Sequence, residues 1–278
     1  MTAAALVALA VVGVAVGFLA GLIGIGGGVF TVPFLYFFYS HEAFSGVHLL
    51  PALHATVAHA TSLFIIVPTA AVGTATYARS HLVEWRAAVP VAMIAIVGAA
   101  LGALIAARVP GQGLKVGFGV FLIASGLQLL MRRRAGSEPG PLRVTLPAVG
   151  GTGMVMGVFS ALLGVGGGLI GIPLLLHVLR VQMERVAATS LAIIAIAAAS
   201  GTITYIATGQ SETAMQLGPL GYVHLAVALP MLPGAVLAVR WGARLNQRLD
   251  PKLLRLTFAA VFTVTGLWIV FTNVGGLV

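Results

Sequence analysis

The chain is 278 residues long, 59% hydrophobic and 8% charged, with 15 Lys and Arg against 6 Asp and Glu and no cysteine. A water-facing domain carries about 25% charged residues, so much of this surface must face lipid; disulfides, thiolate metal sites and cysteine nucleophiles are excluded. The formal charge of +9 sits mostly in short gaps between apolar runs, a pattern of membrane topology rather than of a nucleic-acid partner.

The apolar stretches fall at about 3–24, 29–40, 53–78, 87–107, 114–131, 144–165, 169–180, 186–208, 219–243 and 253–274. Most approach the roughly 20 residues that a spanning helix needs. The first lacks a basic leader region and runs on into further apolar sequence, so it reads as a retained membrane helix. The segments 29–40 and 169–180 are too short to span alone, and each follows a glycine cluster. A basic, turn-rich stretch, Arg132-Arg133-Arg134-Ala135-Gly136-Ser137-Glu138-Pro139-Gly140-Pro141, reads as a linker over 132–143 between a first half (1–131) and a second (144–278).

The halves match each other. Gly17–Leu35 reads GFLAGLIGIGGGVFTVPFL and Gly157–Leu175 reads GVFSALLGVGGGLIGIPLL. Gly26-Gly27-Gly28 maps onto Gly166-Gly167-Gly168, and Pro33 onto Pro173, at an offset of 140. Ala60-Thr61-Ser62-Leu63 maps onto Ala188-Thr189-Ser190-Leu191, and Gly73-Thr74-x-Thr76-Tyr77 onto Gly201-Thr202-x-Thr204-Tyr205, at an offset of 128. Motifs recurring in order mark a duplicated unit, a common origin of transporter symmetry. The fold class is therefore an all-α polytopic membrane protein of two homologous halves with glycine-broken helices or hairpins.

Charge decides between two arrangements. If the glycine clusters are mere kinks, strict alternation divides the Lys and Arg six against nine. If each cluster is the tip of a hairpin that enters and returns, each half makes three crossings and the division becomes thirteen against two. The positive-inside rule favours the second arrangement, which makes the halves inverted repeats with both termini outside. The length of 3–24 speaks against it, being long for a re-entrant arm.

Three consecutive glycines each cost a helix about 1 kcal/mol relative to alanine. Broken helices in lipid need partners for their free backbone groups, and are tolerated where they line a cavity. A helix restarting after the break aims N–H groups and its positive dipole end at that cavity, which suits an anion. Two such ends meeting near the midplane make Gly26, Gly27, Gly28, Gly166, Gly167 and Gly168 candidate substrate-binding positions. The hydroxyls of Thr61, Ser62, Thr189 and Ser190 are candidate donors to substrate oxygens, or bonds within the helix bundle. Thr74, Thr76 and Tyr77 with Thr202, Thr204 and Tyr205 read as interfacial belt positions. His54 and His59 are candidates for a proton relay; Ala187 stands where the repeat would match His59. All six acidic residues fall in or beside gaps, against a cation transporter. Gly24-Ile25-Gly26-Gly27-Gly28 does not complete a dinucleotide fingerprint, and His54 and His59 are five apart rather than four, so neither cofactor nor metal is expected.

These residues resemble the TauE/SafE family of sulfite and organosulfonate exporters over essentially the whole chain. The resemblance rests on GFLAGLIGIGGG with Pro33, on GVFSALLGVGGG with Pro173, on Ala-Thr-Ser-Leu in both halves, and on Thr76-Tyr77-Ala78-Arg79 followed by Val83-Glu84-Trp85-Arg86. Ala60 and Ala188 stand where the family often has a glycine before Thr-Ser. The resemblance implies a multi-pass inner-membrane permease that exports a small sulfur-containing anion using the proton gradient. It implies lining roles for the glycine triplets, Thr61, Ser62, Thr189 and Ser190. The expected partners are that anion and the lipid bilayer, with a homodimer if one repeat moves against a fixed scaffold. A passive anion channel of the same architecture is the alternative; an intramembrane enzyme lacks the residues it would need.

Overall fold

A computed structural model of the protein describes residues 1–131, 141–210, 220–246 and 251–274. Most of the linker, 132–140, and the acidic Glu138, Glu212 and Asp250 lie outside these residues. The described chain is helical throughout: α1 Ala3–Ile23, α2 Gly28–Ser40, α3 Glu42–Ser45, α4 His54–Ala78, α5 Trp85–Ala106, α6 Gly111–Met131, α7 Leu146–Leu163, α8 Gly168–His177, α9 Met183–Thr208, α10 Leu225–Asn246 and α11 Pro251–Val274. Six helices, α1, α4, α5, α7, α9 and α10, are long and apolar enough to cross a membrane, α4 together with a preceding 3-10 turn at Pro51–Leu53.

The glycine clusters reverse the chain. Gly24, Gly26 and Gly27 all have positive φ, as do Gly164, Gly166 and Gly167, a conformation costly to any residue with a Cβ. The reversal is visible at both ends of each hairpin. At the first, Gly27 packs back against Val16 and Ala20 of α1. Beyond α2 the chain returns to its starting side, where the Thr2 hydroxyl donates to the Phe44 carbonyl at 2.7 Å. At the second, Gly167 packs against Met156 and Ser160, and the Arg143 N–H before α7 donates to the Leu179 carbonyl after α8 at 2.9 Å.

The length of the first arm thereby finds its explanation. At 1.5 Å per residue α1 is about 31 Å long. Its end at Gly24 reaches Ala187, near the start of α9 on the far side, before the chain folds back and α2 begins. The re-entrant arm is a full-length helix, and only the return is short.

The later helices then alternate. Gln112 at the start of α6 donates to the carbonyl of Asn273 at the end of α11 at 3.1 Å, on the N-terminal side. Glu84 before α5 pairs with Arg185 of α9 at 2.8 Å on the opposite side. These contacts agree with the inverted arrangement that the charge bias predicts.

The halves interlock through glycine seams. Gly13 and Gly17 of α1 lie against Met231 and Ala235 of α10, and Gly153 and Gly157 of α7 lie against Val91 and Ala95 of α5. From the other side, Gly98 and Gly102 of α5 meet Met154 and Val158 of α7, and Gly242 of α10 meets Phe18 and Leu22 of α1. Small residues let backbones approach closely where lipid supplies no hydrophobic drive. Helices α4 and α9 run antiparallel through the middle, and α6 and α11 form a peripheral pair.

Tyr77 and Tyr205 depart from the belt expectation, since both are fully buried. Each donates to the last turn of a hairpin's first arm: Tyr77 to the Gly21 carbonyl at 2.8 Å and Tyr205 to the Ala161 carbonyl at 2.9 Å. A helix that stops inside the membrane leaves carbonyls without partners. In α1, Gly24 N–H satisfies Ala20, Tyr77 satisfies Gly21 and Asn246 satisfies Leu22.

Candidate functional site

The two hairpin tips meet at the centre. A Cβ on Gly28 would lie 2.4 Å from the Gly164 carbonyl oxygen and 2.5 Å from the Val165 Cα; one on Gly168 would lie 2.5 Å from the Ile25 Cα. Ile66 and Ile194, matched residues of α4 and α9, flank both Gly26 and Gly166. The starts of α2 and α8 therefore sit back to back at mid-helix depth of α4 and α9. Their caps, Gly27 and Gly167, supply no side-chain hydrogen bond, so the first N–H groups of both helices have no side-chain acceptor there. All six glycines named from sequence are brought together and buried. In this structure the tips are in direct contact, with no room for an anion between Gly28 and Gly164.

The four hydroxyls divide into different roles. Thr61 accepts from the His224 N–H at 3.0 Å and Thr189 from the Glu84 N–H at 3.1 Å. His224 and Glu84 precede α10 and α5, so the two threonines occupy equivalent places in the repeat, each tethering the start of a helix. Thr189 also donates to the Arg185 carbonyl at 2.7 Å. Ser62 donates to the Gly164 carbonyl at 2.8 Å, tying α4 to the tip of the other half's hairpin. Ser190, its repeat counterpart, is fully buried and its hydroxyl makes no hydrogen bond. Ser160, against Gly167, is likewise buried and unpartnered. Buried polar atoms without partners are uncommon and invite water or a ligand.

This division makes a prediction. Ser62→Ala should lower the thermal stability of detergent-purified protein by about 1 kcal/mol, the worth of a buried hydrogen bond whose acceptor is left behind. Ser190→Ala should be nearly neutral. Equal shortening of the inactivation half-lives at one temperature would refute the asymmetry.

His54 and His59 lie near the N-terminal side of α4. His54 Nε2 is 2.9 Å from the Leu49 carbonyl. His59 is fully buried, its Nε2 2.5 Å from the Tyr36 hydroxyl and its backbone against Gly164. Its Nδ1 makes no hydrogen bond. Around them stand Tyr39, stacked on His224 with ring centroids 5.8 Å apart, and Lys115, 5.7 Å from the Tyr36 ring centre. Tyr36, Tyr39, Lys115 and His224 are absent from the sequence-based candidates. The repeat held a signal for the tyrosines: Leu176 and Leu179 stand at the positions matching Tyr36 and Tyr39, so polarity is concentrated on one side of an otherwise duplicated frame.

The family described as Sulfite exporter TauE/SafE matches residues 9–269. The chain is 28% identical to a probable membrane transporter protein of Methanocaldococcus jannaschii, covering 94% of this chain and 93% of that one. It is 24% identical to the probable membrane transporter protein YunE of Bacillus subtilis over 96% and 98% of the two chains. A probable membrane transporter protein of Xylella fastidiosa strain Temecula1 is 25% identical over 95% and 94%. No solved structure matches the chain.

Proposed function

The chain belongs to the sulfite exporter TauE/SafE family, and from that premise we propose that it is a secondary active transporter exporting a small sulfur-containing anion, sulfite or a short organosulfonate, coupled to the proton gradient. The observation that carries the reading is the central crossing, where two helix starts without side-chain caps, one from each half, meet. Free N–H groups and the positive ends of two helix dipoles attract an oxyanion without a buried basic side chain. The anion occupies this crossing when the hairpins separate, with Ser190 and Ser160 as additional donors. Contact between the tips is then the occluded form. Alternating access moves one hairpin at a time from its neighbours.

In this reading the protein lies in the inner membrane with the side bearing thirteen Lys and Arg facing the cytoplasm. His59, reached from the outside through Tyr36, takes up and releases the coupled proton.

The reading is tested by uptake of radiolabelled sulfite and sulfoacetate into inverted vesicles or proteoliposomes, with and without an imposed proton gradient. Saturable uptake that collapses with the gradient is the expected result. Ohmic sulfite currents would replace the carrier by a channel, and no flux of either anion through folded protein would remove the substrate assignment.

A further inference from the structure

We propose that the pocket between α2, α6 and α11 on the N-terminal side is an outward-facing oxyanion site whose charge is supplied by Lys115. The proposal rests on the transport reading above and assigns its outer stopping point.

The pocket has a volume of about 200 Å³ and is lined by Tyr36, Ser40, His41, Lys115, Thr272 and Asn273, with Trp268 at its wall. This is room for an ion of a few heavy atoms beside the Lys115 ammonium and the Ser40 hydroxyl; Phe37 and Ile269 complete the wall, and Thr272 and Asn273 donate to the Trp268 and Ile269 carbonyls of their own helix. Lys115 is half-buried and has no acidic partner among the described residues. The nearby Glu42 is engaged with His48 at 2.8 Å. A cation held in low-dielectric surroundings without a counterion favours an anion from solution. The pocket is also one side chain from the centre: Tyr36 lines it and bonds to His59, which packs on the tip residue Gly164.

The duplication gives a second, independent argument. At the 140-residue offset, Leu114, Lys115, Phe118 and Gly126 of α6 match Leu254, Arg255, Phe258 and Gly266 of α11. The two helices run antiparallel, so the matched basic residues fall about one turn inside opposite sides of the protein. A basic residue thus recurs at the same register of the last helix in both halves.

Lys115 also lies near the C-terminal ends of α2 and α11, whose carbonyls would by themselves attract it. The experiment separates the two roles. In a full-length Trp85→Phe, Trp241→Phe background, Trp268 is the only tryptophan and its fluorescence reports the pocket directly. Titration with sulfite at constant ionic strength, balanced with chloride, should give a saturable change in the lysine protein. Lys115→Met should weaken it about tenfold or more, as expected for loss of a charge-assisted contact, and Lys115→Arg should retain it. Absence of a saturable response, or the same response in Lys115→Met, overturns the site; a lowered melting temperature alongside an unchanged response assigns Lys115 to the helix ends. A saturable Trp268 response in protein that moves no sulfite would uphold the pocket and remove the transport reading, so the two fail separately.

Discussion

Gly167→Val should reduce anion uptake to background while the protein still inserts, and Gly27→Val should do the same. Both glycines cap a restarting helix at positive φ, +79° and +82°, where a β-branched residue is strained by on the order of 1–3 kcal/mol. A Cβ on Gly167 would also lie 2.5 Å from the Met156 carbonyl oxygen, and one on Gly27 2.9 Å from Val16 Cγ1. The tip must shift to relieve these contacts, and a shift turns the first N–H groups away from the crossing. Insertion depends on the hydropathy of the long helices, which neither substitution changes. Vesicle uptake normalised to membrane-inserted protein is the measurement; normal uptake by either variant refutes the central anion site.

The second large effect falls on the helix seams. A Cβ on Gly17 would lie 2.1 Å from the Ala235 carbonyl oxygen and 2.4 Å from the Ala235 Cα. Backbone cannot rotate away as a side chain can. Gly17→Ala should cost about 1–3 kcal/mol, and Gly17→Leu should leave no folded protein to purify. Gly117→Ala is the control: it lies in a helix with nothing within 4 Å of the added carbon, so helix propensity alone should leave stability unchanged or raise it by up to about 1 kcal/mol. Because membrane proteins unfold irreversibly in detergent, the comparison is of inactivation half-lives at one temperature. A Gly17→Ala protein as long-lived as the Gly117→Ala protein would mean that α1 and α10 do not pack as described.

Much of this architecture was legible from local signals. The apolar runs locate the helices to within a few residues because lipid demands long uninterrupted stretches. The one clear shift, α10 beginning at Leu225 rather than near 219, follows from the turn at Leu220–His224 that Thr61 anchors. The hairpins were legible only indirectly, through the charge bias. What escaped was what depends on docking. Gly13, Gly17 and Gly21 have the four-residue spacing of a packing seam, but which helix they meet is set by the interlocking of the halves. Tyr77 and Tyr205 carry the composition of an interface belt, and their burial follows from carbonyls that only a broken α1 and α7 leave open. Lys115 reads as one more topological charge until α2 and α11 close around it. The hydroxyl pairs read from sequence as substrate donors or bonds within the bundle; that Thr61 and Thr189 tether helix starts while Ser190 has no partner required the partners' coordinates.

The duplication of the fold and the unequal side chains upon it have a thermodynamic corollary. On the alternating-access reading proposed above, identical halves could exchange conformations and so convert an outward-open form into an inward-open one of equal free energy. The first half carries Tyr36, Tyr39, His54 and His59 where the second carries Leu176, Leu179, Gln182 and Ala187. On that reading the degeneracy is lifted, and the resting population is tilted toward one orientation before any gradient acts. On that reading the size of the tilt is set by how water solvates the histidine-bearing half against its aliphatic twin.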